Sequence, residues 1–233
     1  MVEFLKSFSK AFILQDRWKL YIQGLENTVI IATIAALIGV VIGVLFAMVN
    51  YLKRKTGKLK FLSAIVNTYI TVVRGTPVVL QLMILYFVVF ATWDNGIMIG
   101  AITFGINSSA YVAEIIRAGF ESVDDGQREA GRSLGLSTWQ TMRKIIIPQA
   151  LKNSLPPLFN EFITLIKETA IVGYVGIMDL GKVPGMIQSR TFEYLPPLII
   201  SALIYLALVM LLTFALGRIE KILAKSDRNG GKK

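Results

Sequence analysis

The chain has 233 residues, 54% of them hydrophobic, and a mean hydropathy of +0.60. Soluble domains are usually about 45–50% apolar, so the composition points to a membrane protein. The net charge of +10 sits between apolar stretches rather than along one polar face, which argues for basic membrane-flanking loops and against nucleic-acid binding. With no Cys and no His, the chain excludes disulfides, thiol catalysis, Cys/His metal sites and a Ser-His-Asp triad; no metal site is expected.

Residues 1–23 lack a clean apolar core and a small-residue cleavage site, so they are read as an extracytoplasmic or interfacial segment, not a signal peptide. The first span is predicted from Thr28 to Leu52, free of charge. Within it Gly39 and Gly43 form a small-xxx-small pair that permits close helix packing. A basic run, Lys53 to Lys60, follows. Residues 61–93 would be about 50 Å long as one helix, too long for a single crossing. They are split into an interfacial helix (61–73), a break at Arg74-Gly75-Thr76-Pro77, and a second span from Val78 to Trp93. The turn Asp94-Asn95-Gly96 leads to a third span, Ile97 to Phe120. A polar segment (121–152) then separates it from a fourth span, Ser154–Met178, and a fifth, Leu195–Gly217. After Gly217 a basic tail is expected to fray, with residues 222–233 as a flexible cytoplasmic end.

Five spans place the basic run 53–60, the polar segment and the tail on one side, with sixteen Lys/Arg against six on the other. The positive-inside rule then sets the N-terminus outside and the C-terminus in the cytoplasm. The fold class expected is an all-α membrane protein of five transmembrane helices. The polar segment reads as two short helices. Asp124 with Gln127, and Ser137 with Gln140, resemble capping boxes, and Gly135 suits the left-handed residue between them. By polarity alone it is either a docking surface or an ordinary solvated loop.

Spacing decides between these. Glu129-Ala130-Gly131, three residues, Gly135, nine residues and Ile145-Ile146-Ile147-Pro148 resemble the EAA motif of ABC importer permeases, with Gly131 in place of the second Ala and Ile147 in place of Leu. RGTPVVLQ (74–81), FGINSSAYVAEIIR (104–117) and NEFITLIKETA (160–170) resemble the matching segments of the polar amino acid subgroup of that family, the histidine/glutamine/arginine type, with Ala170 where Ser is usual. The likeness runs from Gly24 to Gly217. It implies a type I (MetI-like) permease domain over residues 24–221 in a prokaryotic inner membrane, with coupling helices at 124–146. Glu129, Ala130, Gly131 and Gly135 would contact an ATPase subunit or set the shape that does. It also implies a second permease chain, identical or not, two ABC ATPase subunits that bind ATP and Mg, an extracytoplasmic binding protein and alternating access.

None of the chain's Gly-Lys pairs sits in a P-loop, so no ATPase site is expected on it. Charges inside spans are costly and mark functional candidates. Glu114 and Arg117 are three apart and can pair, and Arg74 and Pro77 mark the helix break; these read as structural or gating residues. In the fourth span Glu161 and Thr164 share a face with Glu168. Glu161 can receive a substrate ammonium or guanidinium group, with Asn160 and Thr164 adding hydrogen bonds, or it can pair with a basic group on a neighbouring helix. Lys167 and Glu168 fit structural pairing or gating. The first of these readings of Glu161 favours basic amino acids such as arginine, lysine or histidine. A secondary transporter or channel not driven by ATP is the alternative; it explains the buried charges but not the EAA spacing.

Overall fold

The computed structural model describes residues 2–230, so the last three residues of the expected tail, 231–233, lie outside the described residues. Ten α-helices succeed one another with no strand among the described residues: α1 (Val2–Phe12), α2 (Trp18–Thr56), α3 (Lys60–Gly75), α4 (Val78–Ile84), α5 (Gly96–Glu121), α6 (Asp125–Ser133), α7 (Thr138–Thr141), α8 (Ile147–Glu168), α9 (Val183–Thr191) and α10 (Leu195–Gly230).

Three stretches, Leu14–Thr56, Gly96–Glu121 and Leu195–Leu223, are long and apolar enough to cross a membrane, or four if α3 and the helical stretch Val78–Val89 make one broken span. The expected second span is therefore corrected. Helix ends at Val89, its last turn being a π-turn over Leu85–Val89, and the twelve residues from Val78 reach only about 18 Å. The helix that carries the first span starts at Trp18, ahead of Thr28, because no Pro or Gly-rich turn interrupts residues 18–28.

The fourth span also differs. α8 starts at Ile147 and ends at Glu168, followed by a 3-10 stretch over Thr169–Val175 that stops at left-handed Gly176. Helical backbone runs unbroken from Thr138 through the π-turn into α8, so Pro148 lies inside a helical run rather than at its end, and the second helix of the insert is continuous with α8. The π-turn, Met142–Ile146, widens the backbone where the proline ring would otherwise press on the preceding turn. At the other end of the chain α10 stays helical well past Gly217, where fraying was expected.

The helices gather into two compact units. The first comprises residues up to Leu37, Thr76–Gly105 and Phe162–Thr213. Its core packs Ile31, Ala35, Leu82, Phe104, Leu165 and Ile166 together. A second cluster surrounds Tyr21, Leu180, Val183 and Ile187. The loop before α9 is pinned in this unit by polar contacts: Asn27 Nδ2 donates to Met178 O at 2.8 Å, Leu180 N donates to Thr28 Oγ1 at 3.1 Å, and Ser201 Oγ donates to Leu180 O at 3.1 Å. Asp179, fully buried, accepts from the backbone N–H of Gly181 and Lys182, both at 2.9 Å, and from Tyr205 Oη at 3.2 Å. Burial pushes its carboxyl above the ordinary value, and these donors pull the other way.

The second unit comprises Ile38–Gly75, Ile106–Glu161 and residues from Phe214 onward. Here the small-residue pair of α2 does what its spacing predicts. A Cβ on Gly43 would lie 2.6 Å from Val112 Cγ1 and 2.8 Å from Ser109 O, and one on Gly39 would lie 3.0 Å from Ser108 Cβ. Only hydrogen atoms at 39 and 43 let α2 and α5 approach this closely. Gly119 near the end of α5 meets Ala150 and Ser154 of α8 in the same way.

Candidate functional site

The polar insert lies wholly within the second unit and is built by its own backbone chemistry. Asp124 caps α6, its side chain accepting from Gly126 N at 2.7 Å. Its expected capping box with Gln127 does not form: Gln127 N bonds the Asp124 carbonyl instead, so only the cap is realised. α6 ends in a Schellman motif, in which Leu136 N donates to Gly131 O at 3.1 Å and Gly135 N to Arg132 O at 2.9 Å, with Gly135 left-handed at φ +75°. Two residues on, the second capping box is complete: Gln140 N donates to Ser137 Oγ at 3.2 Å and Ser137 N to Gln140 Oε1 at 2.8 Å. Stop signal and start signal stand back to back, which makes the bend a rigid elbow rather than a slack loop.

Gly131 is the buried member of the EAA-like triplet. A Cβ there would lie 2.7 Å from Thr141 Cγ2 and 2.9 Å from Thr141 Oγ1, so the departure from Ala lets α6 close on α7. Beneath them Val123, Met142, Ile146 and Ala150 form a small core with Tyr51 and Phe120. Glu129, Ala130 and Gly135 face outward. Leu134 and Trp139 do too, 79% and 65% exposed, although both are large and apolar. The sequence reading passed over these two. Their signal was a large apolar residue on each side of a glycine bend in an otherwise hydrophilic segment, where burial offers no account of them.

The predicted Glu114–Arg117 pair forms at 2.7 Å and proves to be one link of a longer chain. Arg74 Nη1 lies 3.8 Å from Glu114, with its guanidinium 5.3 Å from the Tyr111 ring centroid. Arg117 also binds Glu121 at 2.6 Å, and Glu121 binds Arg54 at 2.7 Å. Charges thus alternate from the end of α3 through α5 to the end of α2. Pro77 stands at the N-cap of α4 with ψ 130°, an extended conformation that cannot continue a helix.

All five charged or polar candidates of the expected fourth span lie on α8. Asn160 and Glu161 belong to the second unit, and Thr164, Lys167 and Glu168 to the first. Glu161 is half-buried, and Ser108 Oγ donates to its Oε1 at 2.9 Å. Ser108 is a further partner the sequence reading missed; it lies in the Ser-Ser-Ala stretch of α5 whose small residues admit α2. Glu161 Oε1 is thus oriented by a neutral hydroxyl.

Residues 39–225 match the family described as the binding-protein-dependent transport system inner membrane component. The chain belongs to that family. It is an ABC transporter permease, an integral component of the inner membrane. Among its relatives, the putative glutamine transport system permease protein GlnP of Rickettsia bellii is 40% identical over 97% of this chain and 100% of its own. The arginine transport system permease protein ArtQ of Bacillus subtilis is 38% identical over 88% of this chain and 93% of its own. Among solved structures, one titled as an amino acid ABC transporter with histidines superposes with a TM-score of 0.80 at 42% identity, covering 87% of this chain and 94% of that one. An inward-facing MetNI methionine ABC transporter shares the fold at 22% identity and a TM-score of 0.76.

Proposed function

We propose that this permease carries polar amino acids inward, basic ones preferentially, as one of two permease chains driven by two ABC ATPase subunits. The elbow at 124–146 carries the coupling part of this reading. A rigid, doubly capped bend presents Glu129, Ala130, Leu134 and Trp139 outward on a chain without a P-loop. Such a surface suits a groove on the subunits that bind ATP and Mg. Closure of those subunits on ATP pushes the elbow and turns the pathway outward; hydrolysis resets it. An extracytoplasmic binding protein hands over the substrate.

In this reading five segments cross the membrane: α2, the broken pair α3 with Val78–Val89, α5, α8 with its 3-10 extension, and α10. The N-terminus lies outside and the C-terminus in the cytoplasm, as the sixteen-to-six bias of Lys/Arg favours. Relatives named for glutamine and for arginine support a polar amino acid cargo. The Ser108-oriented carboxylate of Glu161 supports the basic preference, with Asn160 and Thr164 as hydrogen-bonding neighbours and Lys167 and Glu168 as gate or pairing residues.

Two measurements test this. ATPase activity of the purified assembly should rise when loaded binding protein is added; an unchanged rate removes the coupling mechanism. Glu161→Gln should lower arginine uptake more than glutamine uptake, and equal effects on both remove the direct contact.

A further inference from the structure

Beside the elbow the second unit holds a cavity of about 410 Å³, walled by the last turns of α2 and α5 and the first residues of the insert. Its floor is apolar. The rings of Tyr51 and Phe120 lie 5.4 Å apart, and Tyr51 Oη donates to Met142 Sδ at 3.0 Å. Its rim is cationic, with Arg54, Lys55 and Arg128 facing two acids, Glu121 and Asp125. Both acids are already answered. Glu121 is clamped between Arg54 and Arg117, and Asp125 lies 3.3 Å from Arg128. Lys55 pairs with no acid among the described residues, its Nζ standing 6.0 Å over the Tyr51 ring. An aromatic seat under an unspent lysine and two partly spent arginines matches a phosphate carried on an apolar body.

Its level along the chain points the same way. The charge-free run of α2 ends at Leu52, so the cavity opens within a turn of the apolar segment. The basic run Lys53–Lys60, without an acid, follows at once. Basic pockets at that depth are placed to draw anionic headgroups from the cytoplasmic leaflet.

We propose that this cavity binds a phosphate group, supplied by an anionic phospholipid headgroup, with Lys55 and Arg128 holding the phosphate and Tyr51 and Phe120 seating the glycerol carbons. A lipid held there bridges α2 to α6 and so braces the elbow. The proposal rests on the cytoplasmic placement of the elbow argued above. The test is native mass spectrometry of the full-length chain, purified with its copurifying partners, after exchange into detergent with phosphatidylglycerol or phosphatidylcholine. Phosphatidylglycerol should be retained at least about fivefold better, the factor expected for one basic side chain near a charged lipid surface. Lys55→Gln should remove about that factor, and Lys55→Gln with Arg128→Gln should bring both lipids level. Lys221→Gln, on exposed α10, should change nothing. In a second arm, inorganic phosphate alone is titrated against thermal unfolding; Lys55-dependent protection by phosphate, without any lipid preference, assigns the cavity to the soluble anion and overturns the lipid source. Equal retention of the two lipids with no phosphate effect, or a Lys55→Gln chain that binds like the parent, overturns the site itself. Lipid counts need no ATP turnover, so intact ATPase stimulation without lipid preference sinks this proposal alone, and the converse sinks only the coupling mechanism.

Discussion

Replacing Gly131 by Ala restores the residue usual at that place in the EAA motif, yet in this chain it should destabilise. The added Cβ would lie 2.7 Å from Thr141 Cγ2 and 2.9 Å from Thr141 Oγ1. Thr141 is buried, β-branched and tied through Oγ1 to Ser137 O at 3.1 Å, so it cannot swing clear without losing that bond. Ile145 Cδ1, at 3.2 Å, is the end of a flexible side chain and yields easily. Overpacking of this kind costs about 1–3 kcal/mol. Against it stands a gain of about 1 kcal/mol from placing Ala rather than Gly in a helix. The net expectation is a loss of up to about 2 kcal/mol. Thr141→Ala alone should cost about 0.5–1.5 kcal/mol for the lost hydrogen bond. The double variant should then be more stable than the sum of the two, by about 1–3 kcal/mol, because the clash vanishes with the Thr side chain. Equilibrium unfolding in detergent for all four chains measures this directly. Additivity within about 0.5 kcal/mol would refute the contact, and with it the claim that glycine sets the elbow's closure.

Further substitutions probe the same physics elsewhere. Gly43→Ala drives a Cβ to 2.6 Å from Val112 Cγ1 and 2.8 Å from the Ser109 carbonyl, so it should cost about 3 kcal/mol and sharply lower folded yield. Gly217→Ala meets open space and should stabilise α10 by about 0.5–1 kcal/mol; matching unfolding curves for the two would be the failing result. Gly135→Ala also meets open space, but at φ +75° it should cost about 1–2 kcal/mol and depress ATP-coupled uptake, with Gly135→Asn intermediate. Arg117→Gln should destabilise more than Arg54→Gln, since it strips a partner from two carboxylates instead of one. Each effect should stay near about 1 kcal/mol because the side chains are well exposed, and 1 M salt should shrink the difference.

Short-range order was legible in the sequence wherever it rests on local chemistry. Ser137 with Gln140, Gly135 and the Glu114–Arg117 spacing each act across three or four residues, so residue identity and interval suffice to place them. Pattern matching over long stretches fixed the family for the same reason, since Glu129-Ala130-Gly131, Gly135 and Pro148 keep their intervals whatever surrounds them. Hydropathy was less secure. It counted apolar residues without seeing that Val78–Val89 is too short to cross alone, or that helical backbone would run from Thr138 past Pro148 into α8.

What tertiary structure alone decided are contacts between residues far apart in the chain. Ser108 meets Glu161, Arg54 meets Glu121, and Tyr51 and Phe120 come together under Lys55, at separations no periodicity encodes. They exist because Gly39, Gly43 and Gly119 let helix backbones approach, and each such approach brings side chains from distant segments into range. Residue order was enough to mark a permease of this family with a polar elbow. Only packing determined that the elbow is closed by a Gly131–Thr141 contact and flanked by a cationic cavity, because both depend on distances of a few ångströms between helices.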